Sequence, residues 1–265
     1  MSKKVAIVTG GTSGIGRATA LALQERGYTV YELSRRAEGM PDIRHIVADI
    51  TKEETLQAAV EQVLAVEGRL DLVVNNAGFG ISGAIEFTDT QEAQRLFDTL
   101  FFGMVRMNRC VIPLMRQQGH GRIVNISSVA APVPIPFQAY YSAGKAAINA
   151  YTMALANELR SFGVTVCAVM PGDIKTGFTA ARHKIIDGDD IYQGRIGRSV
   201  QRMEHDEQTG IDPAKVGRYI AAVASREGSH HPLYATRIDY KFFVFLTKVL
   251  PARFLNWLIY QLYGK

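Results

Sequence analysis

Cysteine is scarce: Cys110 and Cys167 are the only two in 265 residues, and no CxxC pair occurs. That excludes a disulfide framework, so a reducing cytoplasm is the expected setting and both thiols read as packing residues. His45, His120, His183, His205 and the pair His230-His231 show neither HxxxH nor HExxH spacing; they read as solvated or loop residues and no metal site is expected. A GxSxG elbow is also missing, which argues against a Ser–His–Asp hydrolase. Charge of one sign is not in great excess: 30 Lys and Arg face 25 Asp and Glu, for a net +5. Nucleic-acid binding, which uses dense one-sided charge to track phosphates, is therefore not expected. Long apolar runs are absent too: the opening Met1-Ser2-Lys3-Lys4 leads straight into a strand pattern without a signal-type stretch.

What is present describes a globular chain, 47% hydrophobic and 21% charged, long enough for one α/β domain with a substantial core. Short apolar runs at 5–8, 29–33, 44–48, 70–74, 122–127 and 164–170 read as strands, and helical spacing appears after residue 14 and over 53–67, 91–115, 141–161 and 215–225. Asp212-Pro213 supplies an N-cap and first-turn pair for the last of these helices. A final strand is expected at 233–238. Continuous apolar strands alternating with helices predict a doubly wound parallel sheet covered on both faces. Residues 173–210 break the rhythm; polar, with five glycines, they read as a mobile excursion. The domain is expected to span 1–240, followed by a basic, apolar helical tail over 241–265.

Two motifs carry the functional reading. In residues 9–16, Gly10, Thr12, Ser13, Gly14, Ile15 and Gly16 follow a strand and open a helix, where backbone N–H groups and the helix dipole can approach a pyrophosphate. At the end of the second strand, Ser34 and Arg35 stand where a 2′-phosphate would arrive, with Arg36 and Arg17 close in sequence, so NADP(H) is favoured over NAD(H). Ordinary surface charge is the alternative for each arginine. Glu32 is the residue that would oppose this preference, and it falls two positions short of the strand end. The second motif places Tyr141 and Lys145 one helical turn apart, a spacing at which an ammonium favours the phenolate. Ser128, just beyond a strand, offers a hydroxyl to a substrate carbonyl.

These motifs, in this order, resemble the short-chain dehydrogenases/reductases: TGxxxGxG at 9–16, NNAG at Asn75, Asn76, Ala77 and Gly78, the set Ser128, Tyr141 and Lys145, and Pro171-Gly172. The resemblance covers about residues 5–240. It implies a Rossmann-type fold, a nicotinamide-linked carbonyl–alcohol interconversion, and a homodimer or homotetramer. It further implies that Asp49, with Ile50 beside it, meets the adenine, that Ile174 and Thr176 in the segment 171–176 flank the nicotinamide, and that Lys145 holds the ribose hydroxyls. Tyr140 has no lysine four positions on and reads as a packing or cleft residue. One departure stands out: family members carry an asparagine in the helix after NNAG that holds a water linking the lysine to solvent, and here the position is Leu100. Asn108 reads as an ordinary helix residue rather than its replacement.

The substrate is expected to be apolar, similar to a steroid, a retinoid or a fatty-acyl carbonyl. The Pro132-Val133-Pro134-Ile135-Pro136-Phe137 segment, Phe178 and Ile185-Ile186 would line its site. Arg182, Lys184, Arg195 and Arg198 would meet an anionic group or water. The tail is too broken by Lys248, Pro251 and Arg253 to supply the ~20 apolar residues a bilayer span needs. Over 240–265 it has four cations and no acid, which suits packing, closure over the substrate or peripheral membrane contact. A non-catalytic dinucleotide-binding scaffold is the alternative to an enzyme, with Leu100 as its support.

Overall fold

The computed structural model describes residues 3–226 and 231–265; His230 therefore lies outside the described residues. Five strands, β1 (Val5–Thr9), β2 (Thr29–Ser34), β3 (Arg44–Val47), β4 (Leu72–Asn75) and the two-residue β5 (Ile81–Ser82), precede β6 (Gly121–Ile126). They are followed by β7 (Val164–Met170), β8 (His183–Lys184) and β9 (Leu233–Ala235). Seven of them form one parallel sheet in the order β3-β2-β1-β4-β6-β7-β9. The fold is Rossmann-type: the chain runs outward from β1 to β3, then returns to lay β4 on the other side of β1. That reversal opens a crevice at the carboxyl ends of β1 and β4, where ligands of such sheets bind.

Helices cover both faces. On one, α1 (Gly14–Glu25) and α8 (Pro213–Ala224) bury Ala20, Leu23, Val216 and Ile220 against β1, β4, β6 and β7. On the other, α2 (Glu53–Glu67), α4 (Gly103–Gln118) and α5 (Ala139–Glu158) bury Leu56, Val60, Met107, Val111 and Leu155. β1, β4, β6 and β7 read as apolar runs because they face a helix layer on each side.

The structure departs from the sequence reading in three places, one of them the strand expected at 233–238, which ends at Ala235 while Ile238 opens a helix. The helix predicted over 91–115 is interrupted: α3 (Thr90–Phe97) passes through a π-helical turn, Asp98–Phe102, before α4 begins at Gly103. The widened turn delivers Leu100 into the space between Gly78 and Gly144. The stretch 173–210 is built rather than loose. It contains α6 (Phe178–Ala181), β8 paired in parallel with β5, and α7 (Arg195–Gln208). In α7, Ile196, Val200 and Met203 recur at helical spacing and fill a small core with Ala84 and Phe137. The tail forms α9 (Ile238–Val249) and α10 (Ala252–Ile259), and no helix among the described residues is long and apolar enough to cross a membrane.

α1 and α8 approach closely at Gly217, where an added Cβ would come within 2.4 Å of the Ala18 backbone carbonyl carbon. Backbone cannot give way as a side-chain tip does. Gly217→Val is expected to lower the unfolding free energy in urea by ~2 kcal/mol.

Candidate active site

The crevice is a cleft of about 1250 Å³. Its phosphate-side wall is the turn from β1 into α1. Gly10 and Gly14 adopt φ of 66° and 54°, a region that favours glycine. Gly16 is packed too closely for any side chain: a Cβ there would meet the Gly10 carbonyl oxygen at 2.2 Å and the Asn76 amide at 2.4 Å. Thr9 joins this turn to the end of β4, its hydroxyl accepting from the N–H groups of Asn76 (3.0 Å) and Ala77 (3.1 Å). The Ser13 side chain makes no capping bond, so the amino end of a 12-residue helix faces the cleft without a side-chain cap. Such an end fits a dinucleotide pyrophosphate.

Gly10, Thr12, Ser13, Gly14 and Ile15 line this cleft together with Ser34, Arg35, Asp49, Ile50, Asn76, Ala77 and Gly78. Ser128, Tyr141, Lys145, Pro171, Gly172, Ile174 and Thr176 line it further in. Gly16 supports the loop from beneath, and Arg17 is exposed away from the lining, a departure from its expected role. Glu32 is fully buried, hydrogen-bonded to His45 and tucked under Gly11, away from the cleft; burial pushes its carboxyl up. Arg35 and Arg36 stand exposed at the rim beyond it. Burial raises the Asp49 carboxyl, but bonds from the Thr51 N–H (3.0 Å) and hydroxyl (2.8 Å), with the Arg35 charge, hold it below its ordinary value.

At the inner end, α5 presents Tyr141 and Lys145 on one face, and Ser128 follows β6. Lys145 is buried; its Nζ donates to the Ile126 carbonyl at 2.8 Å and lies 5.5 Å from the Tyr141 ring centre. The Ser128 hydroxyl accepts from the Ala130 N–H at 3.1 Å. The expected electrostatics are reversed here. Desolvation dominates, pushing Tyr141 up to about 12 while the Ser128 hydroxyl pulls it down, and pushing Lys145 down to about 7. Burial thus favours the uncharged form of both groups.

Leu100 is 2% exposed and lines the cleft between Gly78 and Gly144, so no polar group occupies that position. Asn108 is buried in a separate ladder, accepting from Asn75 at 2.7 Å; Asn75 also donates to Asn125, which donates to Thr152. Phe178 leans on Tyr141 with ring centres 5.8 Å apart, and Tyr140 packs beside Leu96 and Leu100. The excursion's cations are engaged within the protein: Arg182 with Glu207, Lys184 with Glu204, Arg195 with the Gly264 carbonyl and Arg198 with that of Lys265. Through these contacts the tail closes one side of the cleft, which Tyr263 lines. Sequence reasoning missed Asp173, Glu207 and Tyr263 in the wall. Asp173 was within reach, since it follows Pro171-Gly172; the other two depend on how α7 and the tail fold back.

Between about pH 7 and the ordinary lysine value of 10.5, the unfolded chain holds a proton at residue 145 that the folded protein releases, so this group makes stability rise with pH. Below about 7 both states are protonated and the burial penalty is constant. The unfolding free energy of wild type relative to Lys145→Met is expected to rise by about 1 kcal/mol per pH unit across that window in urea titrations.

A family model for short chain dehydrogenases matches residues 4–185. The 3-ketodihydrosphingosine reductase of Bacteroides thetaiotaomicron is 37% identical over 261 residues, 97% of this chain and 94% of that protein. A short-chain dehydrogenase structure from Streptomyces avermitilis superposes with a TM-score of 0.82 at 34% identity, covering 92% of each chain. The structure of ElxO with NADP bound does so with a TM-score of 0.75 at 26% identity, covering 91% of this chain and 100% of that one. With the glycine turn, the NNAG corner and the Ser128–Tyr141–Lys145 set gathered around one cleft, the chain belongs to the short-chain dehydrogenases/reductases, oxidoreductases that interconvert carbonyls and alcohols with a nicotinamide cofactor.

Proposed function

We propose that this protein is an NADPH-dependent reductase of a long-chain, lipophilic ketone, with Tyr141 as its proton donor. The observation that carries the reading is the gathering of the Tyr141 phenol, the Ser128 hydroxyl and Lys145 on the wall of the same cleft as the glycine turn. When bound, the dinucleotide supplies hydride to the carbonyl carbon. Ser128 holds the carbonyl oxygen, Tyr141 gives it a proton, and Lys145, poised near neutrality, returns one to the phenolate. Leu100 leaves no polar group for a water at the helix turn, so this reloading is assigned to Lys145. The apolar groups Ile135, Phe178 and Met203 in the wall support a hydrocarbon substrate. The Bacteroides relative is named for a ketone of this kind, 3-ketodihydrosphingosine.

The preference for NADPH rests on Arg35 and Arg36 at the rim and on the withdrawal of Glu32 beneath Gly11. The tail supports contact with an anionic lipid surface. Ile238, Phe242, Phe245 and Val249 form one exposed stripe on α9, and Phe254 and Trp257 stack at 5.8 Å on α10, with Lys241 and Lys248 on α9 and Arg253 on α10. A cytoplasmic homodimer or homotetramer that touches the bilayer through this stripe completes the proposal.

Tyr141→Phe is expected to cut ketone-dependent NADPH oxidation by at least ~100-fold; an unchanged rate would refute the assignment. Arg35→Ala should weaken NADPH at least ~10-fold more than NADH in fluorescence titrations, since a phosphate contact is lost from only one of them. In flotation assays the protein should rise with phosphatidylglycerol vesicles, and the Phe245→Glu/Trp257→Glu variant should stay behind. Equal behaviour of the two would remove the lipid contact.

A further inference from the structure

Asp173 and Glu207 line the cleft, Asp173 directly after the Pro171-Gly172 turn, and the charge of a third carboxylate, Asp206, acts on Asp173 from beside Glu207. Two of them have cations of their own. Glu207 pairs with the buried Arg182 and accepts from the Thr179 hydroxyl at 2.6 Å; Asp206 pairs with Arg202 at 3.1 Å and accepts from the Tyr263 hydroxyl at 3.1 Å. Asp173 has no cationic partner among the described residues. Its carboxylate is instead fixed by Tyr240, whose hydroxyl accepts from the Asp173 N–H at 2.9 Å and donates to Oδ2 at 3.1 Å. The Tyr240 ring in turn covers Gly172 so closely that a Cβ there would overlap it. The group is therefore positioned, but its charge is uncompensated.

We propose that Asp173 is a specificity-determining residue that holds a substrate ammonium, carried on the carbon next to the ketone. The inference rests on the reductase reading above and names the substrate class more closely: a long-chain 2-amino ketone. Asp173 follows the Pro171-Gly172 turn directly, lines the cleft with Ser128 and Tyr141, and its charge acts on the Tyr141 phenol. Because Asp173 lines the same cleft as Ser128 and Tyr141, an ammonium on a carbon next to the carbonyl is the substituent that would reach it. Burial and the charges of Asp206 and Glu207 disfavour the carboxylate, and an ammonium paired with it would offset that cost. Lys145 donates to the Ile126 carbonyl and, on the reductase reading, serves the Tyr141 phenol rather than Asp173. The other cation that could approach is the oxidised nicotinamide, and the test separates the two.

The experiment compares kcat/KM for 3-ketodihydrosphingosine and for the matched 1-hydroxy-3-ketone lacking the amine, with the full chain at saturating NADPH. Wild type is expected to prefer the amine by about tenfold or more, the size of a charged hydrogen bond in a cleft. In Asp173→Asn, whose amide oxygen still accepts from Tyr240, that preference should shrink to within about threefold, mainly through KM. Equal turnover of both ketones by wild type overturns the inference and leaves the reductase reading standing. So does an equal loss on both ketones in the variant, which would assign Asp173 to the cofactor or to the fold. Turnover of neither ketone overturns both. The wild-type comparison needs no variant, so a failure of Asp173→Asn to fold does not shield the inference.

Discussion

Two ionisable side chains, Lys145 buried and Tyr141 partly withdrawn from water, stand together on the wall of one cleft, and the local chemistry follows from that. Each is pushed towards its uncharged form, the phenol by keeping its proton and the amine by losing one. A tyrosine in this state is an acid, suited to protonating an oxygen that has just received a hydride. The nearby amine sits where it can take up and release protons around neutrality. Elsewhere in the site, too, charges are spent inside the protein: Arg182, Lys184, Arg195 and Arg198 are turned onto acids or onto the carbonyls of the tail. Asp173 stands apart because it is held by a phenol and matched by no cation among the described residues.

The sheet makes this arrangement possible. Its reversal between β1 and β4 leaves a crevice that a glycine turn and an uncapped helix end can share. Packing then fixes the details. Gly16 lets the turn lie against Asn76, Gly11 leaves room for a buried Glu32, and Gly78 accepts Leu100. Each close approach fixes what faces the cleft, whose wall sets the apolar groups Leu100, Ile135, Phe178 and Met203 among the polar groups Ser128, Lys145, Asp173 and Glu207.

Much of this was legible beforehand. The order of apolar runs gave the parallel sheet, and the spacing of Tyr141 and Lys145 put them on one helix face, because strand burial and helical periodicity are local properties. Their mutual electrostatics were not legible: a four-residue spacing says that the ammonium is near, whereas its effect depends on how much water both groups lose. The π-helical turn at Asp98–Phe102 was hidden because a helical pattern with one extra residue looks continuous in sequence. The stretch 173–210 looked mobile from its glycines and charges, and the three apolar residues that anchor α7 are few enough to be overlooked. Glu207 and Tyr263 reach the cleft through long-range folding that no short motif encodes.

The central claim is that burial keeps the Tyr141 phenol protonated well above neutrality in the protein before substrate arrives. The most direct measurement is a pH titration of the protein labelled with carbon-13 at the tyrosine ring carbon bearing the hydroxyl, with the Tyr141 signal assigned by its loss in Tyr141→Phe. The account predicts a resonance that stays at the phenol position to at least about pH 10. A signal that moves to the phenolate position between pH 7 and 8 would contradict it.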